Sequence, residues 1–107
     1  MLTVIIPSHR RHTYLRRSIS YYQQLPIQVL IVDSTQTPLT VPLPANIQYL
    51  HLPDMPFADK VLVAANYVET PLVALCPDDD FFLPEILNLA ANQMLANSEL
   101  SLSFGRP

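Results

Sequence analysis

The run Leu2-Thr3-Val4-Ile5-Ile6, stopped by Pro7, is apolar at nearly every position. So is Ile27-Gln28-Val29-Leu30-Ile31-Val32, which ends at Asp33-Ser34-Thr35. A strand with one wet face alternates polar and apolar residues. Near-continuous apolarity instead suits a strand covered on both faces, as in a parallel sheet between helices. Between the two runs, Thr13 to Gln24 sets Leu15, Ile19 and Tyr22 at i, i+4 and i+7, one face of a helix that Pro26 closes. Thr37 to Asn46 holds three prolines and no period, so it is read as a loop. Ile47 to Leu52 predicts a third strand. Phe57, Val61, Ala65 and Val68 share one face of a second helix, and Leu72 to Leu75 is read as a fourth, buried strand. Pro84 opens a helix running to about Asn97, and Leu100 to Phe104 predicts a fifth strand. Strands alternating with helices in this order predict an α/β fold, a three-layer Rossmann-like and mostly parallel sheet.

Bulk properties narrow the function. With 107 residues, half of them hydrophobic and 14% charged, the chain is expected to fold as one domain. A net charge of -3 supplies no basic field, which argues against a nucleic-acid partner. The one cysteine, Cys76, excludes an internal disulfide framework and a Cys-rich zinc site, and is read as a buried strand-end thiol in a reducing compartment. Leu2 to Pro7 is too short for a signal segment or a membrane span, so a soluble cytoplasmic protein is expected. The one glycine, Gly105, excludes G-x-G-x-x-G and P-loop phosphate cradles.

The chemistry-bearing residues gather at one expected sheet edge. Asp78-Asp79-Asp80 follows the fourth strand directly and precedes the Pro84 helix. Asp78 and Asp80 form a D-x-D pair, and hard cations such as Mn²⁺ or Mg²⁺ are typically held by one or two carboxylates plus phosphate oxygens. A solvated acidic turn accounts for one of the three carboxylates, not for all of them. Asp33 ends the second strand at the same edge. There it either accepts hydrogen bonds from a nucleoside or binds its own turn, and the nearby acidic run favours the first. Arg10 and Arg11 follow the first strand, where a guanidinium fork suits diphosphate oxygens; for Arg11, Arg16 and Arg17 a solvated helix start is the plainer reading. Lys60, the only lysine, either neutralises a phosphate or carboxylate or lies exposed on its helix, the commoner case for its type. His9, His12 and His51 show no metal-ligand spacing, and no Ser-His-Asp arrangement is supported.

Four segments together resemble a known family. Leu2 to Arg11 followed by Tyr14-Leu15-Arg16-Arg17-Ser18-Ile19 is similar to the opening of family 2 glycosyltransferases of the GT-A fold. Val29 to Thr35 matches that family's strand ending in aspartates in part. Phe57-Ala58-Asp59-Lys60 to Asn66 resembles its segment with a basic residue, and Leu75 to Leu87 its D-x-D motif with the helix that follows. The landmarks occur in the family's order. The resemblance implies a nucleotide-diphosphate-sugar site in which Pro7, Ser8 and Asp33 hold the nucleoside and Lys60 lies near the base or diphosphate, with Arg10, read above as a diphosphate contact, counted in the same site. It also implies that Asp78, Asp79 and Asp80 frame the ribose and a Mn²⁺ or Mg²⁺ ion, with Asp78 and Asp80 as metal ligands. That metal would neutralise the leaving diphosphate.

Two departures accompany the resemblance. The second motif lacks its glycine, and the acceptor-binding half with its catalytic base would lie beyond the D-x-D segment. The chain, 1–107, is therefore expected to be a donor-binding domain truncated before that half, with an unknown acceptor and with a second copy or partner chain covering the open sheet edge. Two alternatives remain: an inactive nucleotide-binding or interaction module of the same fold, and a nucleotidyltransferase-like enzyme, disfavoured by the lack of a Gly-rich basic loop after the first strand.

Overall fold

The computed structural model describes residues 2–96. Its elements are β1 (Leu2–Ser8), α1 (His12–Tyr22), β2 (Gln28–Asp33), β3 (Ile47–His51), α2 (Phe57–Ala65), β4 (Leu72–Leu75) and α3 (Pro84–Ala96). The four strands form one all-parallel sheet in the order β3-β2-β1-β4. The expected fifth strand at Leu100 to Phe104 lies outside the described residues. No helix among the described residues is long and apolar enough to cross a membrane.

The central strands behave as their composition demands. β1 and β2 pair from Thr3↔Gln28 to Ser8↔Asp33. Val4, Ile6, Val29 and Ile31 pack on one face with Leu15, Ile19 and Tyr22 of α1 and Leu87 of α3. Ile5, Leu30 and Val32 pack on the other with Ala64 of α2. The sheet is thus a middle layer between helices, as the apolar runs predict. Each of these side chains contributes about 1.5–3 kcal/mol by leaving water. The connection after β2 also enters the core, where Leu39 is buried and its N–H donates to the Tyr49 hydroxyl at 2.9 Å.

Two expectations need correction. β4 is not buried: it is an edge strand among the described residues, and Val73 and Leu75 remain 44% and 46% exposed. Both lie opposite Thr3 and Ile5 on the α2 face, which α2 covers chiefly over β1 and β2. Secondly, α2 does not turn Phe57 and Ala65 inward; its buried residues are Lys60 and Ala64. Phe57 is 60% exposed, and the helix is rotated so that a lysine reaches the sheet.

One side chain ties the lower edge together. Asn46 Nδ2 donates to the carbonyls of Tyr22, Leu25 and Ile27 at 3.0, 3.2 and 2.9 Å, closing the α1–β2 connection onto the start of β3. Asn46→Ala is expected to cost about 1–2 kcal/mol, since it leaves these acceptors without their donor. A lowered urea midpoint with an unchanged m-value is the measurement that checks it.

Candidate functional site

A parallel sheet of order β3-β2-β1-β4 reverses direction between β1 and β4, and ligands of open α/β sheets bind beyond the carboxyl ends of the strands at such a switch point. The ladder is extended there by Ser34 N–H to Ser8 O at 3.0 Å, Leu52 N–H to Asp33 O at 2.8 Å and Cys76 N–H to Ile5 O at 2.9 Å. The strand ends are therefore a fixed platform.

Across the switch point, Ser8 Oγ donates to Asp78 Oδ2 at 2.7 Å, joining groups 70 residues apart in a buried bond. Asp78 is 6% exposed, and its backbone carbonyl accepts from Ser18 Oγ at 3.3 Å. The loop beyond it is clamped to α1: Tyr21 OH donates to Phe82 O at 2.8 Å, and Phe82 N–H donates to Tyr22 OH at 3.1 Å. The Tyr22 hydroxyl is also 3.4 Å from Cys76 Sγ. Cys76 is buried as expected, and burial pushes its thiol pKa up, away from the thiolate form.

Asp33 is fully buried, and its carboxylate is saturated from within. Oδ1 accepts from the Thr35 N–H at 3.0 Å and the Thr35 hydroxyl at 2.6 Å. Oδ2 accepts from Tyr49 OH at 2.6 Å and faces His12 Nε2 at 3.0 Å. Burial alone would raise this carboxyl, but the bonds from Thr35, Tyr49 and His12 outweigh it and hold its pKa below the usual value. The same arrangement pushes Tyr49 up to about 12, by burial and by its bond to Asp33. Asp33 thus binds its own turn, as one of its two readings had it, and also fastens α1 and β3 to the end of β2.

Lys60 is 5% exposed, which decides against the surface reading. Its Nζ donates to Ser8 O at 2.7 Å and Ser34 Oγ at 2.9 Å. Burial lowers its pKa, against the opposing pull of Asp33 and Asp78. An ammonium has three donors, and these bonds use two of them. Beside it opens a hollow of about 520 Å³ lined by His9, Ser34, Asp54, Met55, Phe57 and Lys60. Two non-glycine residues in this region, Arg10 (φ 57°) and Asp54 (φ 59°), adopt the left-handed conformation. For an L-residue this costs roughly 1–2 kcal/mol, a strain of the kind that gathers at functional loops. Arg10 is held there by its N–H donating to Thr35 Oγ1 at 2.6 Å.

Ser8, Asp33, Lys60 and Asp78 are thus brought together at one edge, with Pro7 in the strand behind them. Arg10 projects into solvent, Asp79 is exposed, and Asp80 Oδ1 accepts from the Phe81 N–H at 2.9 Å. Sequence reasoning missed His12 and Tyr49, which hold Asp33, and saw Ser34 and Thr35 only as the turn that Asp33 binds. It also placed Arg11 in solvent, whereas its Nε lies 3.1 Å from Asp78 Oδ1 and its Nη2 lies 3.3 Å from Asp79 Oδ2. The only available hint was charge: three carboxylates in succession require cations nearby.

Asp78 and Asp80, the expected metal ligands, are both engaged by the protein's own donors. Among the described residues no three His, Cys, Asp or Glu side chains converge on a point that would hold a metal ion. Asp78 faces Ser8 and Arg11, Asp79 faces Arg11, and Asp80 binds the Phe81 N–H. A second hollow, about 330 Å³ at the opposite edge by Gln28, Gln48, Tyr67 and Glu69, is lined by no basic residue and suits no diphosphate. The chain matches no protein-family model, no curated protein and no solved structure.

Proposed function

We propose that this chain is a glycosyltransferase-like protein that binds a nucleotide-diphosphate sugar at the carboxyl edge of its sheet. The observation that carries this is the convergence of Ser8, Lys60 and Asp78 at the β1/β4 switch point beside an open hollow. The hollow is walled by Phe57 and His9, flat rings suited to a base, and by Lys60, whose third N–H suits a phosphate or base oxygen. Asp33 acts as a positioning residue, because a ligand hydroxyl would have to displace one of its four present donors. The order of landmarks along the chain, similar to that of family 2 glycosyltransferases, supports the sugar-nucleotide class over dinucleotides, as does the absence of a glycine cradle. Among the described residues β4 is an edge strand, and that edge is where a second copy or partner chain would pair.

Binding precedes any transfer, so binding is the test. Calorimetric titration with UDP-, GDP- and dTDP-sugars is expected to give saturable binding of one nucleotide class. The absence of heat with all three at saturating concentration would sink the proposal and leave an interaction module of this fold.

A further inference from the structure

The acidic run carries its own cation. Arg11 reaches Asp78 Oδ1 with Nε and Asp79 Oδ2 with Nη2, at 3.1 and 3.3 Å. Its guanidinium carbon lies 4.2 Å from the centroid of the Tyr14 ring. Two carboxylates and an aromatic face therefore locate one planar group. Arg11 is also the N-cap residue of α1, held non-helical at φ -137° and ψ 45°, so its stem starts from a fixed point. The buried Nε–H lies at ion-pair distance but is not aligned for a hydrogen bond, and among the described residues it has no hydrogen-bond partner.

We propose that Arg11 takes the place at this edge that a divalent cation would hold. Asp78 and Asp79 share one internal cation, a single positive charge against two negative ones, and a bound diphosphate meets a guanidinium rather than carboxylates bridged by metal. The statement about the cation stands on the ion pairs; its extension to diphosphate rests on the donor-site reading above. A dication approaching Asp78 Oδ1 would have to expel a group that is always protonated and that would repel it at contact distance. A guanidinium is instead suited to exchange one oxyanion for another, because its fork binds carboxylate and phosphate alike. Three of its five N–H donors lie outside the two ion pairs, and 40% of the side chain faces solvent.

Uptake of Mn²⁺ alone, followed by loss of its free-ion paramagnetic resonance signal, tests this without any nucleotide. Wild type and Arg11→Lys are expected to show no uptake within the detection limit, and Arg11→Gln to bind Mn²⁺ with an affinity on the order of tenfold or more above that limit, equivalent to about 1.4 kcal/mol. Wild-type uptake that Asp78→Asn abolishes overturns the proposal. So does an Arg11→Gln protein with native circular dichroism that gains no Mn²⁺ affinity. With nucleotide present, an affinity unchanged by a chelator is the expected companion result, and loss of affinity on chelation overturns the extension to diphosphate. If no nucleotide binds at all, the donor-site reading fails while the Mn²⁺ measurement still decides the role of Arg11.

Discussion

Asp33→Ala is expected to lower the stability of this chain by about 3–5 kcal/mol, the range for removing one partner of a buried charged network. The carboxylate is fully buried and satisfies Thr35, Tyr49 and His12 at once, so its loss strands two hydroxyls, an amide N–H and an imidazole at the end of β2. A domain of this size is stable by about 5–15 kcal/mol, so the variant sits near the threshold of folding. Asp33→Asn keeps one acceptor oxygen and is expected to lose less. It also separates charge from shape through pH. Because the folded pKa lies below the unfolded value of about 3.9, the ionised group stabilises the fold above pH ~4, and that contribution fades as pH falls through the folded pKa. Urea midpoints measured between neutral and acid pH should therefore fall for wild type and fall less for Asp33→Asn. Equal slopes for both proteins would show that other carboxylates govern acid unfolding.

Lys60→Met is expected to do the reverse, leaving the fold nearly intact while removing nucleotide affinity. Neither acceptor of Lys60 is left without a partner, since Ser8 O also accepts from the Ser34 N–H and Ser34 Oγ, and Ser34 Oγ keeps its bonds to Ser8 O and His9 Nδ1. Relief from burying an ammonium offsets the lost attraction to Asp33 and Asp78. A net change within about 1 kcal/mol follows. A hydrogen bond to a charged group is worth about 1.5–3 kcal/mol, so its loss should weaken nucleotide binding by roughly 10- to 150-fold. The signature is an unchanged melting transition with a displaced calorimetric isotherm. Undiminished affinity would remove Lys60 from the site.

The fold was legible where one physical rule acted alone. β1 and β2 are apolar at nearly every position because both their faces are covered, and α1 buries Leu15, Ile19 and Tyr22 as its period requires. β4 reads the same way but is half exposed, because an apolar run does not reveal that α2 packs chiefly on its neighbours. The phase of α2 was misread for a related reason. Hydropathy assigns lysine to solvent, and only the strand ends show that Ser8 O and Ser34 Oγ await its ammonium. Asp33 and Asp78 were visible as strand-end acids. Their partners were not, since His12 and Tyr49 meet Asp33, and Ser8 and Arg11 meet Asp78, only once the parallel register brings distant segments together.

Amide chemical-shift mapping during titration with the nucleotide that binds tests the central claim most directly. The largest shifts are expected at Ser8 to Arg11, Ser34 and Thr35, Lys60, and Asp78 to Asp80, the residues around the β1/β4 switch point. Shifts concentrated at Gln28, Gln48 and Tyr67 on the opposite edge, or no shifts at saturating nucleotide, would contradict it.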